Sequence, residues 1–265
     1  MLTKMKTLLS KRCKQVQKFY TFQNLDKENA CHHLVTQKEP NSPYYFSLAL
    51  HTEERPQEIL RNREKVKTLY PNKKFIVANQ THSANVNTIQ EPKELGWRSL
   101  DDAIENCDAL ITNQKDIILT ILTADCVPIL LFDPIKNVVG AVHAGWRGTQ
   151  QQIVVKTVKK MEQEFHSNPK DIIAGVAPSI GKCCYEVDWG VAQHFKDVPN
   201  SYEKKGEKYM LDLPYINKIQ LLNIGVKREN IELSNICTSC DVENYFSYRK
   251  ENGCSGRFMS LIGLK

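Results

Sequence analysis

Three strand-length apolar runs crowd the middle of the chain: Ile117 to Leu122, Val127 to Phe132 and Val138 to Val142, each parted from the next by a few polar or turn-forming residues. Short apolar runs bounded in this way predict buried strands. Val127 to Phe132 is the longest unbroken run and contains Pro128. It falls well short of the roughly 18 residues of a membrane span, so the runs predict a buried sheet and no membrane crossing. A chain of 265 residues that is 41% apolar and 25% charged can enclose such a sheet. No repeat period and no low-complexity segment competes with that reading.

Around the runs, Tyr44 to His51, Phe75 to Ala78, Val86 to Ile89 and Ile172 to Val176 read as further strands. Helical spacing marks Gln57 to Leu69, with Ile59, Leu60, Val66 and Leu69 on one face, and Thr149 to Phe165, with Ile153, Val154, Val158, Met161 and Phe165. Helices are also expected near Trp189 to Phe195 and Leu213 to Leu222. Strands and helices mix without strict alternation. This predicts an α+β fold, a single-domain layered sandwich of mixed β-sheets flanked by helices.

The net charge of +6 points to nucleic acid only until it is located. Lys4, Lys6, Lys11, Arg12, Lys14 and Lys18 precede the first acid, Asp26; of 36 basic residues this leaves 30 against 30 acidic ones. Residues 1–25 therefore read as a basic N-terminal arm and residues 26–265 as a neutral domain. A nucleic-acid binder carries its basic excess across a folded face, so no nucleic-acid partner is expected. The arm lacks the apolar core of a secretory signal and the Arg and Ser richness of a transit peptide. Nine cysteines, an odd number with no small-framework spacing, read as reduced thiols in a cytoplasmic protein.

Three residues carry the chemistry. His82, Cys126 and His143 each follow a predicted strand or lie between two, in loops rich in Gly, Ser, Asn or Asp. Two imidazoles and a thiolate suit zinc, and three protein ligands leave the open position of a catalytic site. A Cys–His nucleophile pair, or a buried cysteine beside two hydrogen-bonded histidines, fits the spacing as well. The loop His143-Ala-Gly-Trp-Arg-Gly-Thr149 joins two glycines to an expected helix N-terminus and to Arg147, whose fork suits phosphate. Cys237-Thr-Ser-Cys240 has no second C-x-x-C and reads as a pair of reduced structural thiols; Cys183-Cys184 is ambiguous.

Five motifs stand in a recognisable order: Asn79-Gln-Thr-His82-Ser-Ala-Asn-Val86, Thr123-Ala-Asp-Cys126-Val-Pro-Ile, Ala141-Val-His143-Ala-Gly-Trp-Arg-Gly148, Ala177-Pro-Ser-Ile-Gly-Lys-Cys-Cys-Tyr-Glu-Val187 and Phe246-Ser-Tyr-Arg249. From about Tyr44 to the C-terminus the chain resembles the YfiH-type laccase-domain family, labelled polyphenol or copper oxidases and now associated with purine nucleoside phosphorolysis and adenosine deamination. The resemblance implies a layered sandwich with metal ligands at His82, Cys126 and His143. It adds Arg63, in a segment ending Asn-Arg, as an anion contact beside Arg147. The residues themselves add Arg249, with Arg257, as basic groups for a phosphate site, and Asp125, beside the cysteine, as a group for proton transfer or for orienting a ligand imidazole. The chain departs from the family pattern at Ala49, often Asn, and at Ser83, often Gly.

The implied substrates are adenosine, inosine, guanosine and methylthioadenosine, cleaved by phosphate to ribose 1-phosphate and free base. Zinc is the implied metal, with copper possible. Water acidified by zinc would replace the 6-amino group of adenosine. Three other readings stand beside this one: a copper-dependent polyphenol oxidase, a cysteine hydrolase editing peptidoglycan precursors, and a non-catalytic metal-binding partner protein. Seven histidines do not readily build a multicopper cluster.

Overall fold

Side-chain alternation explains why the central runs are apolar throughout. In the strand Ile117–Thr123, Ile117, Leu119 and Ile121 join one buried cluster while Ile118 and Leu122 join another. In Val127–Asp133, Leu130 and Phe132 face that first cluster while Ile129 and Leu131 face a third. A strand with both faces covered has no solvent side on which to place polar residues. Each such Leu, Ile or Phe contributes about 1.5–3 kcal/mol by leaving water.

The computed structural model describes residues 19–27 and 30–265. In chain order the first half forms β1 (Phe19–Tyr20), α1 (Gln23–Lys27), β2 (Cys31–Thr36), α2 (Pro56–Lys67), β3 (Lys74–Val77), β4 (Val86–Thr88), β5 (Ala109–Thr112), β6 (Ile117–Thr123), β7 (Val127–Asp133) and β8 (Val138–Ala144). The second half forms α3 (Trp146–Gln150), α4 (Ile153–Phe165), β9 (Ile173–Val176), β10 (Glu186–Val187), α5 (Trp189–Ala192), β11 (Tyr202–Lys205), β12 (Lys208–Leu211), α6 (Leu213–Asn223), β13 (Ile231–Leu233) and β14 (Phe258–Leu264).

A five-stranded mixed sheet has the order β1-β2-β14-β6-β3, a six-stranded one β13-β9-β7-β8-β5-β4, and a three-stranded one β10-β12-β11. The two large sheets share one buried cluster, to which Leu119 and Phe258 of the first and Leu130 and Phe132 of the second belong. On the outer side of the six-stranded sheet, Val154, Val158 and Met161 of α4 and Ile216 and Leu221 of α6 pack against Ile129, Leu131 and Val142. Phe46, Leu48, Val66 of α2 and Trp97 cover the outer side of the five-stranded sheet. The expected α+β, single-domain layered sandwich of mixed sheets is the fold.

Local differences have local causes. Tyr44 to His51 is no strand: Tyr44, Tyr45 and Phe46 take φ of 48°, 52° and 71°, and the segment is a tight turn after Pro43 that drives Phe46 and Leu48 into the core. The helix expected over Thr149 to Phe165 is two helices, α3 and α4, broken at Gln152, whose φ is 60°. β2, β5 and β14 were not expected from the sequence; β14 is interrupted by Ser260 and Gly263 yet pairs with both β2 and β6. Of the segment read as a basic arm, residues 1–18 lie outside the described residues. Its end belongs to the fold, since β1 pairs with β2 and Phe22 and Leu25 are fully buried.

Candidate active site

The site forms where the chain passes between the large sheets. β6 belongs to the five-stranded sheet and β7 to the six-stranded one, so Ala124-Asp125-Cys126 is a crossing point. Asp125 takes φ of 87° there. Its carboxylate accepts from the Thr238 hydroxyl and the Arg249 N–H, both at 2.7 Å, which fixes the turn that aims Cys126. The register of β7 against β8 sets Pro128 opposite His143, and so places the ring one residue from the thiol's strand end.

Asp108, just before β5, organises the rest. Fully buried, it accepts from the backbone N–H groups of Thr81, His82 and Ser83 at 3.2, 3.0 and 2.7 Å, and from the Ser83 hydroxyl at 2.6 Å. Its Oδ1 also lies 2.7 Å from His143 Nδ1. One carboxylate thus shapes the loop that carries His82, in which His82 itself takes φ of 61°, and orients His143. Ser83, where the family often has Gly, contributes a hydroxyl to this group.

Cys126 Sγ and His82 Nε2 are 3.7 Å apart, the two imidazole centroids 4.9 Å apart, and the donor atoms of His82, Cys126 and His143 lie within 4.8 Å of one another. Zinc bonds of 2.3 Å to sulfur and 2.0–2.1 Å to nitrogen at a tetrahedral angle would set these atoms about 3.6 Å apart. With Nδ1 of His143 on Asp108, its Nε2 is left as the donor, the carboxylate–histidine arrangement that orients a metal-binding ring. Gly145 makes the room: a Cβ there would fall 2.8 Å from His82 Cδ2 and 3.1 Å from Cys126 Sγ. The donor set therefore fits a zinc ion.

The electrostatics suit a charged cluster. Burial pushes the Cys126 thiol up, but the His143 and His82 rings outweigh it and bring it down to about 6. Burial pulls His143 down, and the Cys126 sulfur and Asp108 carboxylate more than reverse this, raising it to about 9. For Asp108 burial is offset by hydrogen bonds from His143 and Ser83, which hold it at about 2.

These residues open onto a cavity of about 550 Å³ also lined by His51, Gln80, Tyr185, Tyr248, Arg147, Arg249 and Arg257. Arg147 is exposed, its guanidinium 4.5 Å above the Trp146 ring. Arg249 donates to the Glu186 carbonyl at 2.9 Å and lies 5.5 Å above Tyr185. Arg63 is not at the cavity. It is fully buried and donates to the backbone carbonyls of Leu48, Gly96 and Trp97 at 2.9, 2.8 and 2.6 Å, so it serves the core beneath α2. The carboxylate that orients the His143 imidazole is Asp108, whereas both oxygens of Asp125 hold neighbouring loops. Asp108 escaped the sequence reading, although a carboxylate heading the apolar run Ala109 to Ile111 marks it. The helix following the His143 loop is the five-residue α3, so Arg147 and not a long helix dipole supplies the positive charge there.

Known proteins are similar to this chain in sequence and in fold. The family described as "Multi-copper polyphenol oxidoreductase laccase" matches residues 32–265. A Bacillus subtilis protein named purine nucleoside phosphorylase YlmD is 34% identical over 228 residues, 83% of this chain and 82% of that protein. A Bacteroides thetaiotaomicron purine nucleoside phosphorylase is 35% identical over 195 residues, 71% of this chain and 72% of its own. The crystal structure of Bacillus licheniformis hypothetical protein YfiH superposes with a TM-score of 0.88 at 30% identity, covering 95% of this chain and 98% of that one. YlmD from Geobacillus stearothermophilus superposes with a TM-score of 0.85 at 29% identity, covering 89% and 92%. Matched over nearly all its described length in sequence and in fold, the chain belongs to the laccase-like YfiH/YlmD family.

Proposed function

We propose that the chain is a purine nucleoside phosphorylase acting on adenosine, inosine, guanosine and methylthioadenosine, with zinc-dependent adenosine deaminase activity. The observation that carries this reading is the single cavity joining a His–Cys–His donor set to Arg147, Arg249 and Arg257. The relatives' names support the phosphorylase assignment. Phosphate held by Arg147 and Arg249 attacks C1′ as the C1′–N9 bond breaks; the bonding pair leaves with the base, which takes a proton, and ribose 1-phosphate remains. Tyr185 and Tyr248 offer ring faces to the purine. Held by His82, Cys126 and His143, zinc supplies Lewis acidity and acidification of water, the chemistry that replacement of the 6-amino group needs. Asp108 keeps Nε2 of His143 directed at that position, and Asp125 keeps Arg249 at the opening.

Among the described residues one group able to hold a metal contains histidine, and it has two imidazoles and one thiolate. That set suits one zinc or copper ion rather than a multicopper cluster. No helix of the described residues is long and apolar enough to cross a membrane. We place the protein in the reducing cytoplasm, acting on small nucleosides and not on nucleic acid.

Product identity with and without phosphate is the test. Adenosine with phosphate should give adenine and ribose 1-phosphate; without phosphate, adenine release should stop while inosine still forms. No base release from any purine nucleoside in phosphate would overturn the phosphorylase reading, and inosine that vanishes with phosphate would overturn the division of labour. The chain Asp108–His143–Cys126 also favours a second reading, a cysteine hydrolase. That enzyme would keep its activity after chelation, which the metal-dependent deaminase would not.

A further inference from the structure

A second convergence of side chains lies outside the cavity. The sequence reads Cys237-x-x-Cys240 as two reduced structural thiols and leaves Cys183-Cys184 unassigned, but the fold brings all four sulfurs within 4.8 Å of one another. We propose that Cys183, Cys184, Cys237 and Cys240 bind a structural zinc ion, separate from the metal of the cavity.

Two turns face each other to make the cluster. In the first, the N–H groups of Cys184 and Tyr185 both donate to the Gly181 carbonyl at 3.0 Å; in the second, those of Cys240 and Asp241 donate to the Cys237 carbonyl at 3.1 and 2.9 Å. Backbone bonds from Ser179 N–H to the Ile236 carbonyl and from Thr238 N–H to the Ser179 carbonyl tie the turns together. The Cys240 sulfur lies 3.6 Å from that of Cys183 and 3.4 Å from that of Cys184. Four sulfurs at 2.3 Å from a tetrahedral zinc stand about 3.8 Å apart, close to these separations. Two disulfides could pair all four cysteines, but each would draw its sulfurs to about 2.05 Å, whereas all four are free and the Cys240 sulfur stands at nearly equal distances from two neighbours. Four thiolates repel one another, and a divalent cation is what makes their proximity favourable. The Gly181 N–H also donates to Cys237 Sγ at 3.2 Å, the kind of outer hydrogen bond that steadies a metal-bound thiolate. Cys183 and Cys240 are exposed, which gives the ion a route in.

Four protein thiolates leave no position for substrate or water, so the ion is structural. Its effect reaches the cavity through the chain. The first turn is flanked by Ile180 and Tyr185 of the cavity wall, and in the second Thr238 donates to Asp125, which accepts from the Arg249 N–H. The zinc would stitch together the loops that hold this wall.

Elemental analysis and native mass spectrometry of the full chain, purified reduced and supplied with zinc, test the idea. Two zinc ions per chain are expected. Cys126→Ala should keep one, lost only when Cys183→Ser and Cys240→Ser are added. Should the serine variant fold poorly, the Cys126→Ala chain loaded with cobalt still reports the site, because thiolate-to-cobalt charge transfer must persist at about the intensity of four thiolates. A Cys126→Ala chain without metal, or a metal-free chain lighter by two hydrogens from a disulfide in this cluster, would overturn the proposal.

Discussion

Replacing Asp108 by Asn tests whether a single carboxylate builds the proposed metal site. Its Oδ1 meets His82 N–H and His143 Nδ1, and its Oδ2 meets Thr81 N–H, Ser83 N–H and the Ser83 hydroxyl. An amide keeps one oxygen and turns the other into a donor. With the NH₂ toward His143, the ring must accept at Nδ1 and carry its proton on Nε2, the atom meant for the metal. With the NH₂ toward Ser83, the N–H groups of Thr81 and Ser83 are orphaned at about 1–3 kcal/mol each. Losing such an outer partner weakens metal binding about 10–100-fold, or about 1.4–2.7 kcal/mol. Charge adds a pH-dependent part. Asp108 is depressed from 3.8 to about 2, so it contributes on the order of 2 kcal/mol that is present above pH 4 and lost as pH falls toward 2. Chelator competition for zinc in a Cys183→Ser, Cys240→Ser background, beside melting of the metal-free protein, reads both effects. Asp133→Asn is the control: Asp133 is as buried, but its Oδ1 caps the turn at Ile135 and Lys136, and its Oδ2 can become NH₂ without meeting a donor. Wild-type zinc affinity in folded Asp108→Asn protein would refute the reasoning.

Gly145→Ala should lower zinc affinity at least tenfold while changing the melting temperature little, because its φ of −68° suits alanine and the new Cβ meets His82 and Cys126; unchanged affinity would show that the rings have slack. In metal-free protein Cys126 should alkylate with a midpoint near pH 6, since the thiolate persists above that value, and His143→Ala should move the midpoint upward; peptide mapping after pulsed iodoacetamide decides, and a midpoint of 8 or more counts against the ion pair. Arg63→Ala leaves the carbonyls of Leu48, Gly96 and Trp97 without their donor and should cost several kcal/mol, about 1–3 for each, with no change in the phosphate KM of the surviving enzyme. A wild-type melting temperature with a raised phosphate KM would return Arg63 to the anion site.

Some of this protein was written in neighbouring residues. The runs that became β6, β7 and β8 are apolar along their whole length because two layers cover each of them, and that needs no knowledge of partners. His82, Cys126 and His143 were legible as candidates because side chains at strand ends sit in short motifs whose residues serve the same turn. Other features depend on what arrives from afar. Whether Arg63 meets phosphate or backbone is decided by Gly96 and Trp97, more than thirty residues away along the chain. The breaks at Tyr44 and Gln152 reflect left-handed backbone that the packing of Phe46 and of α4 imposes on residues with no glycine to announce it. Asp108 became the organiser of the site only when β5 came to lie between the His82 loop and β8. The four cysteines form one cluster because the loops after β9 and β13 are bridged in space, at Ser179 and Cys237. A sequence displays what each residue can do, but long-range pairing determines which of these capacities meet, since a donor, a charge or a thiol acquires its role from the group placed opposite it.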